Sequence, residues 1–192
     1  RPQTVRSFPA GMRVFYLTSE FLWPPLHGGR VRSLSQLRLL LSQPELSTLH
    51  VFSLSEVEVA ESEMVALRAS LGSPPSLTIL PPLFHPIHLR THKLKLLEVG
   101  LRRLVYGTPY LFGKWRSPSV EAALGAELSR HSWDVIYIDH LGMAVYLPLV
   151  RRLCPDARVV VESHNIESEF FEQFAAQKPQ PLRLLVAREA EA

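Results

Sequence analysis

The sequence predicts an α/β fold: a Rossmann-like, doubly wound parallel sheet with helices on both faces. Short runs rich in β-branched and aromatic residues recur along the chain, each suited to one strand buried on both sides. The stretches between them carry apolar residues at helical spacing, and a parallel pair needs such long crossovers. Composition agrees, since 46% of the 192 residues are hydrophobic and 20% charged, which excludes a disordered or fibrous chain.

The first strand is Met12 to Thr18. After it come Trp23-Pro24-Pro25-Leu26-His27-Gly28-Gly29 and then Val31, Leu34, Leu37, Leu39, Leu40 and Leu41, a breaker-rich loop leading into a helix that ends before Pro44. Thr48 to Leu54 is a second strand, Glu56 to Leu71 a second helix closed by Gly72, and Leu77 to Leu80 a third strand. The rhythm then breaks. Pro81 to Arg116 forms a proline-bounded excursion whose middle, His88 to Tyr106, reads as a basic amphipathic helix. Ser117 to His131 follows as a helix, with Ser117 at the N-cap and Pro118 at the first helical position. Asp134 to Asp139 is a fourth strand. Leu141 to Leu153 is helical, kinked or broken by Pro148. Ala157 to Glu162 is a fifth strand and Asn165 to Gln177 a further helix. Pro181 to Ala192 reads as a helix cut in its middle, so the expectation is one domain of a longer protein, 12–192, behind a flexible leader at 1–11.

Several classes drop out. The single Cys154 can form neither an internal disulfide nor a multi-thiolate metal site. No window offers the ~18 uninterrupted apolar residues of a spanning helix, and the first residues lack a signal-peptide core. A cytoplasmic location is therefore expected. A net charge of +3 and a pI near 9.2 permit anionic partners without selecting one.

In an open parallel sheet, ligands bind beyond the carboxyl ends of the strands. Gly28-Gly29 lies there, before a helix start whose unpaired N–H groups and about half a positive charge suit a phosphate. It is neither G-x-G-x-x-G nor a P-loop, which argues against a dinucleotide or P-loop enzyme, and a turn serving chain reversal is the plain alternative. Asp139-His140 and Glu162-Ser163-His164-Asn165-Ile166-Glu167 follow the fourth and fifth strands. Their histidines could converge on one cleft and hydrogen-bond a sugar or phosphate, or could merely cap helix starts. His85, His88 and His92 have metal-like spacing without a carboxylate close in sequence, and no metal site is assigned. Ser163 beside His164 is no hydrolase pair, because neighbouring side chains point apart.

Met12 to Leu17, Pro24 to Gly29, Trp133 to His140 and Val159 to Glu167 together resemble the N-terminal, acceptor-side half of family 4 glycosyltransferases of the GT-B type. The Gly-Gly loop and the His-Asn-x-Glu segment are the more specific parts. The resemblance implies a retaining transfer of a sugar from a nucleotide-sugar donor to a glycan or lipid-linked acceptor, without a cofactor. Gly28 and Gly29 would approach the donor diphosphate, His164 would stand near the transferred sugar as the catalytic residue, and His140, Asn165 and Glu167 would line the acceptor side of the cleft. The family's nucleotide-binding half, with its E-x7-E motif, is absent from these residues, and Glu162, Glu167, Glu169 and Glu172 do not reproduce it. Little activity is expected of this part alone.

The excursion carries Arg90, Lys93, Lys95, Arg102, Arg103, Lys114 and Arg116 with Tyr106, Tyr110, Phe112 and Trp115. It could dock peripherally on the inner face of a membrane or be a solvated lid; nucleic acid is not expected, since aromatics are not interleaved with the helix's charges. A non-catalytic, small-ligand-binding module of the same fold is the alternative to the transferase.

Overall fold

The structure, a computed structural model, describes residues 10–86, 88 and 92–163. Residues 1–9 of the expected leader and the helices expected after Asn165 and Pro181 lie outside the described residues. Among those described, no helix is long and apolar enough to cross a membrane.

The alternation of elements holds. In chain order they are β1 (Met12–Thr18), α1 (Gly28–Leu41), β2 (Leu46–Phe52), β3 (Leu54–Ser55), α2 (Glu61–Ser70), β4 (Leu77–Ile79), β5 (Leu83–Phe84), α3 (Lys93–Tyr106), α4 (Tyr110–Trp115), α5 (Pro118–Leu128) and β6 (Val135–Asp139). A 3-10 turn (Leu141–Tyr146), α6 (Leu147–Leu153) and β7 (Arg158–Glu162) complete them. A five-stranded sheet runs β4-β2-β1-β6-β7, all parallel. From β1 the chain winds outward through β2 to β4, then returns to the other side of β1 for β6 and β7.

Alternation along β1 explains why both faces are covered. Met12, Val14 and Tyr16 join Leu34 and Leu37 of α1 and Leu67 of α2 in one core, while Phe15 and Leu17 join Trp115, Leu124 of α5 and Val150 of α6 in the other. Each fully buried side chain of this size contributes on the order of 1.5–3 kcal/mol, which makes β1 the keystone of both layers.

Several boundaries differ from expectation. The second helix starts at Glu61, not Glu56, because the Ser55 hydroxyl donates to Val57 O at 2.7 Å and holds a turn there. The Glu63 carboxylate then accepts from Ala60 N–H at 3.1 Å and fixes the true start. Leu54 leaves the second strand: with Ser55 it forms β3, which pairs with β5 in a separate two-stranded sheet. Pro148 does break its helix. It sits in the first positions of α6, where a missing N–H costs nothing, and the residues before it wind as a 3-10 turn. Ser117 occupies the N-cap position of α5, but its hydroxyl meets Ser119 Oγ at 2.9 Å rather than capping the helix.

Beyond β5, the described part of the excursion holds α3 and α4, joined through Gly107, whose φ of 64° lets α3 end in a left-handed cap. The excursion's last three carbonyls are all engaged, that of Trp115 by the domain and the other two within the excursion itself. Lys114 O meets His85 Nε2 at 3.0 Å, Trp115 O accepts from Tyr146 Oη at 2.5 Å, and Arg116 O accepts from Lys95 Nζ at 2.6 Å.

Candidate functional site at the strand ends

β1 and β6 are neighbours on which the chain winds in opposite directions, so the sheet's topological switch point lies between them. Thr18, Asp139 and Glu162 stand in register at the carboxyl edge of β1, β6 and β7. At the usual strand spacing this row spans only ~10 Å. The residues just beyond it are Ser19-Glu20, His140 and Ser163, with His164 next in sequence. Sequence order had scattered these segments; the topology brings them to one edge. His164, Asn165 and Glu167 themselves lie outside the described residues.

Gly28 and Gly29 open α1 as expected, after His27 in an extended conformation and with no side-chain cap. Neither glycine has a positive φ, and a Cβ at Gly28 would meet open space. The backbone therefore does not require Gly28, whose lack of a side chain leaves the first-turn amides approachable. The electrostatics are more intricate than a bare helix start. The Glu20 carboxylate accepts from Arg30 Nε at 2.8 Å and lies 3.1 Å from His27 Nε2, so the basic side chains nearest the glycines already face an anion. Arg30 also donates to Pro24 O at 3.1 Å, which ties the proline-rich loop to the helix. Glu20 went unnoticed in the sequence because its partners are set by the fold of that loop.

His140 occupies a backbone conformation that L-residues rarely adopt, with φ 132° and ψ 126°. Such strain costs roughly 1–3 kcal/mol and persists only where the surroundings enforce it. The enforcing contacts are visible. His140 Nδ1 accepts from Gly142 N–H at 3.1 Å, so the capping role considered from sequence is real and the ring proton sits on Nε2. The Trp115 ring stands edge-on to the imidazole at 5.7 Å, and Gly142 has no side chain to keep that indole away.

Trp115 is buried, which corrects its assignment to an interfacial aromatic set. The His85 ring stacks on its indole at 5.6 Å, tilted by 22°. Burial pushes the His85 imidazole below its usual range, with Lys95 and Lys114 adding to the effect against a hydrogen bond to the Lys114 carbonyl. Among the described residues, Ser53 Oγ, His85 Nδ1 and Trp115 Nε1 are buried without a hydrogen-bond partner, so this wall keeps unspent polar capacity. Tyr16 and Tyr137 stack at 5.0 Å beneath the edge. Burial, then the Asp139 carboxylate, holds Tyr16 protonated; burial, then its hydrogen bond to Glu162, does the same for Tyr137.

His88 and His92 find a carboxylate after all. Glu56 lies 2.5 Å from His88 Nδ1 and 2.8 Å from His92 Nε2. No group of three or more His, Cys, Asp or Glu among the described residues is arranged to hold a metal ion. A hollow between α5 and α6, lined by Glu121, Gly125, Leu149 and Arg152, contains none of the strand-end residues.

Compared with protein-family models, curated proteins and solved structures, the chain matches none.

Proposed function

We propose that this chain supplies the acceptor-side wall of a glycosyltransferase that moves a sugar, with retention, from a nucleotide-sugar donor to a glycan or lipid-linked acceptor. The observation that carries the reading is the switch point between β1 and β6, flanked by the Gly28-Gly29 helix start and by the strained His140. In this reading the Gly28 and Gly29 amides stabilise charge developing on the leaving diphosphate. His140 Nε2–H donates to an acceptor or sugar hydroxyl, His164 stands at the transferred sugar, and Asn165 and Glu167 extend the acceptor wall. The nucleotide is held by residues outside these 192, so the chain alone turns over little. A cytoplasmic place of work, at the inner membrane face where the acceptor is lipid-linked, belongs to the same reading.

The test is transfer from a panel of nucleotide sugars by the full-length gene product, with and without His164→Ala. Loss of turnover with folding intact supports the assignment. Unchanged turnover removes His164 from the mechanism.

A second reading is a non-catalytic module for a small ligand. The ion pairs of Glu20 and the capping bond of His140 favour it, because both give those residues structural work. Calorimetry on the isolated chain separates the two: tight binding of a nucleotide sugar supports the module, and weak binding supports the transferase wall.

A further inference from the structure

Helix α3 turns its apolar stripe away from the domain. At ~100° per residue, Leu94, Leu97, Leu101, Leu104 and Val105 share one ~100°-wide stripe, and these side chains are 53 to 86% exposed. The opposite side holds Val99, buried against Gly113 of α4. The helix is thus seated on the protein by its weaker apolar side. Among the described residues nothing covers the stronger one, and an uninterrupted apolar stripe of this kind marks a contact surface.

We propose that this stripe is a membrane-docking surface, with α3 lying in the headgroup region of an anionic bilayer, parallel to its plane. Charge decides between a bilayer and a second copy of the chain. Helix α3 carries Lys93, Lys95, Arg102 and Arg103 against one acid, Glu98, which is held by Lys95 at 3.1 Å and Arg102 at 2.9 Å. The helix carries three more cations than acids, so a second copy would meet it with like net charge, whereas anionic headgroups attract it. The ends agree. Tyr106 is 76% exposed at the carboxyl end, where a ring with a polar tip suits the headgroup level, and Phe84 is 60% exposed beside His92 just before the helix. From Leu94 to Val105 the stripe is roughly 17 Å long, enough to lie on a bilayer and too short to cross it. Docking is led by apolar contact, because Lys95 is spent on the Arg116 carbonyl and Arg103 on the Gly107 carbonyl. This names the surface for the membrane contact in the proposed function, yet it requires neither donor nor acceptor and can fail while that reading stands.

The test is sedimentation of the 192-residue chain with sucrose-loaded vesicles of phosphatidylcholine containing about a third phosphatidylglycerol, against phosphatidylcholine alone. Leu97→Glu and Leu101→Glu, both at exposed positions, are compared by vesicle binding, thermal melting and sedimentation equilibrium. The expected result is binding to the anionic vesicles, weakened but not abolished by 0.5 M salt, and reduced at least tenfold in either variant with unchanged melting. No binding to anionic vesicles, or binding indifferent to both substitutions, overturns the proposal. A lowered melting point in the variants would show that the chain covers its own stripe. A concentration-dependent dimer dissolved by Leu101→Glu would assign the stripe to a second copy. Either result also overturns it.

Discussion

Trp115 lies so close over Gly142 that a Cβ at position 142 would overlap its indole ring. The contact joins the excursion to the first turn after β6 and holds His140 between them. Because Trp115 is buried and carries the stacked His85 ring, the indole has little room to retreat. Gly142→Ala should therefore cost about 2–3 kcal/mol, the overpacking range for a core. Urea unfolding checks this, and an unchanged midpoint would mean that the indole does not sit there.

His140 offers a separable measure of strain. His140→Ala keeps the unfavourable φ and loses the capping bond, whereas His140→Gly loses the same bond but relaxes the backbone. The glycine variant should be more stable than the alanine variant by about 1–2 kcal/mol. If the proposed transferase function holds, both should also lower transfer by the full-length protein. Equal stabilities would remove the strain from the account.

Stability should fall in two steps as the solution is acidified. His85 is buried with its pKa held below the usual value, as is His50 through burial and neighbouring His131. The unfolded chain therefore takes up protons that the folded chain refuses, and stability declines as pH drops below the ordinary histidine value of about 6.5. Glu56 is depressed in the opposite setting: burial raises it, but the bonds from His88 and His92 outweigh burial. Its contribution is present above the ordinary glutamate value and is lost as pH falls below that. Urea midpoints from pH 8 to pH 3 follow both steps. His85→Gln should shrink the first step to the share of His50 and leave the second, while Glu56→Gln should shrink the second to the share of Glu98, where burial is outweighed by Lys95 and Arg102, which hold it low.

Glu20 competes with any anion at the start of α1. Its carboxylate already engages Arg30 and His27, so Glu20→Gln should remove a competing negative charge, free the Arg30 guanidinium and strengthen binding of inorganic pyrophosphate. About 1 kcal/mol, or roughly fivefold in affinity, is the scale for one charge at a helix terminus. Calorimetry at low ionic strength checks it. Weaker binding by the variant would make Glu20 a positioning residue instead.

Much of the fold could be read in advance because strands such as Met12–Thr18 and Val135–Asp139 are apolar on both faces, a pattern set by local residues alone. Boundaries failed where a side chain chose a partner distant in sequence or competed with the helix. Ser55 folded back on Val57, and Leu54 paired with Leu83. The candidate site was legible in parts: that Gly28, Gly29 and His140 lie beyond strand ends follows from their order in the sequence. Glu20, Trp115 and Gly142 do not, since their importance rests on contacts made only once the Pro-rich loop and the excursion have closed on the sheet. In the excursion, Lys95 and Arg102 are engaged within the protein while the leucines face outward, an arrangement that depends on how α3 seats on α4 and is not set by its own sequence.

The most direct test of the central claim is an NMR titration of the isotopically labelled chain with inorganic pyrophosphate, a stand-in for the donor diphosphate, followed by a nucleotide sugar. The account predicts that the Gly28 and Gly29 amides and the His140 ring move together along one binding curve, because they flank one crevice at the switch point. Shifts confined to other surfaces, such as the hollow between α5 and α6, or no shift at Gly28, Gly29 and His140 up to millimolar ligand, would contradict it.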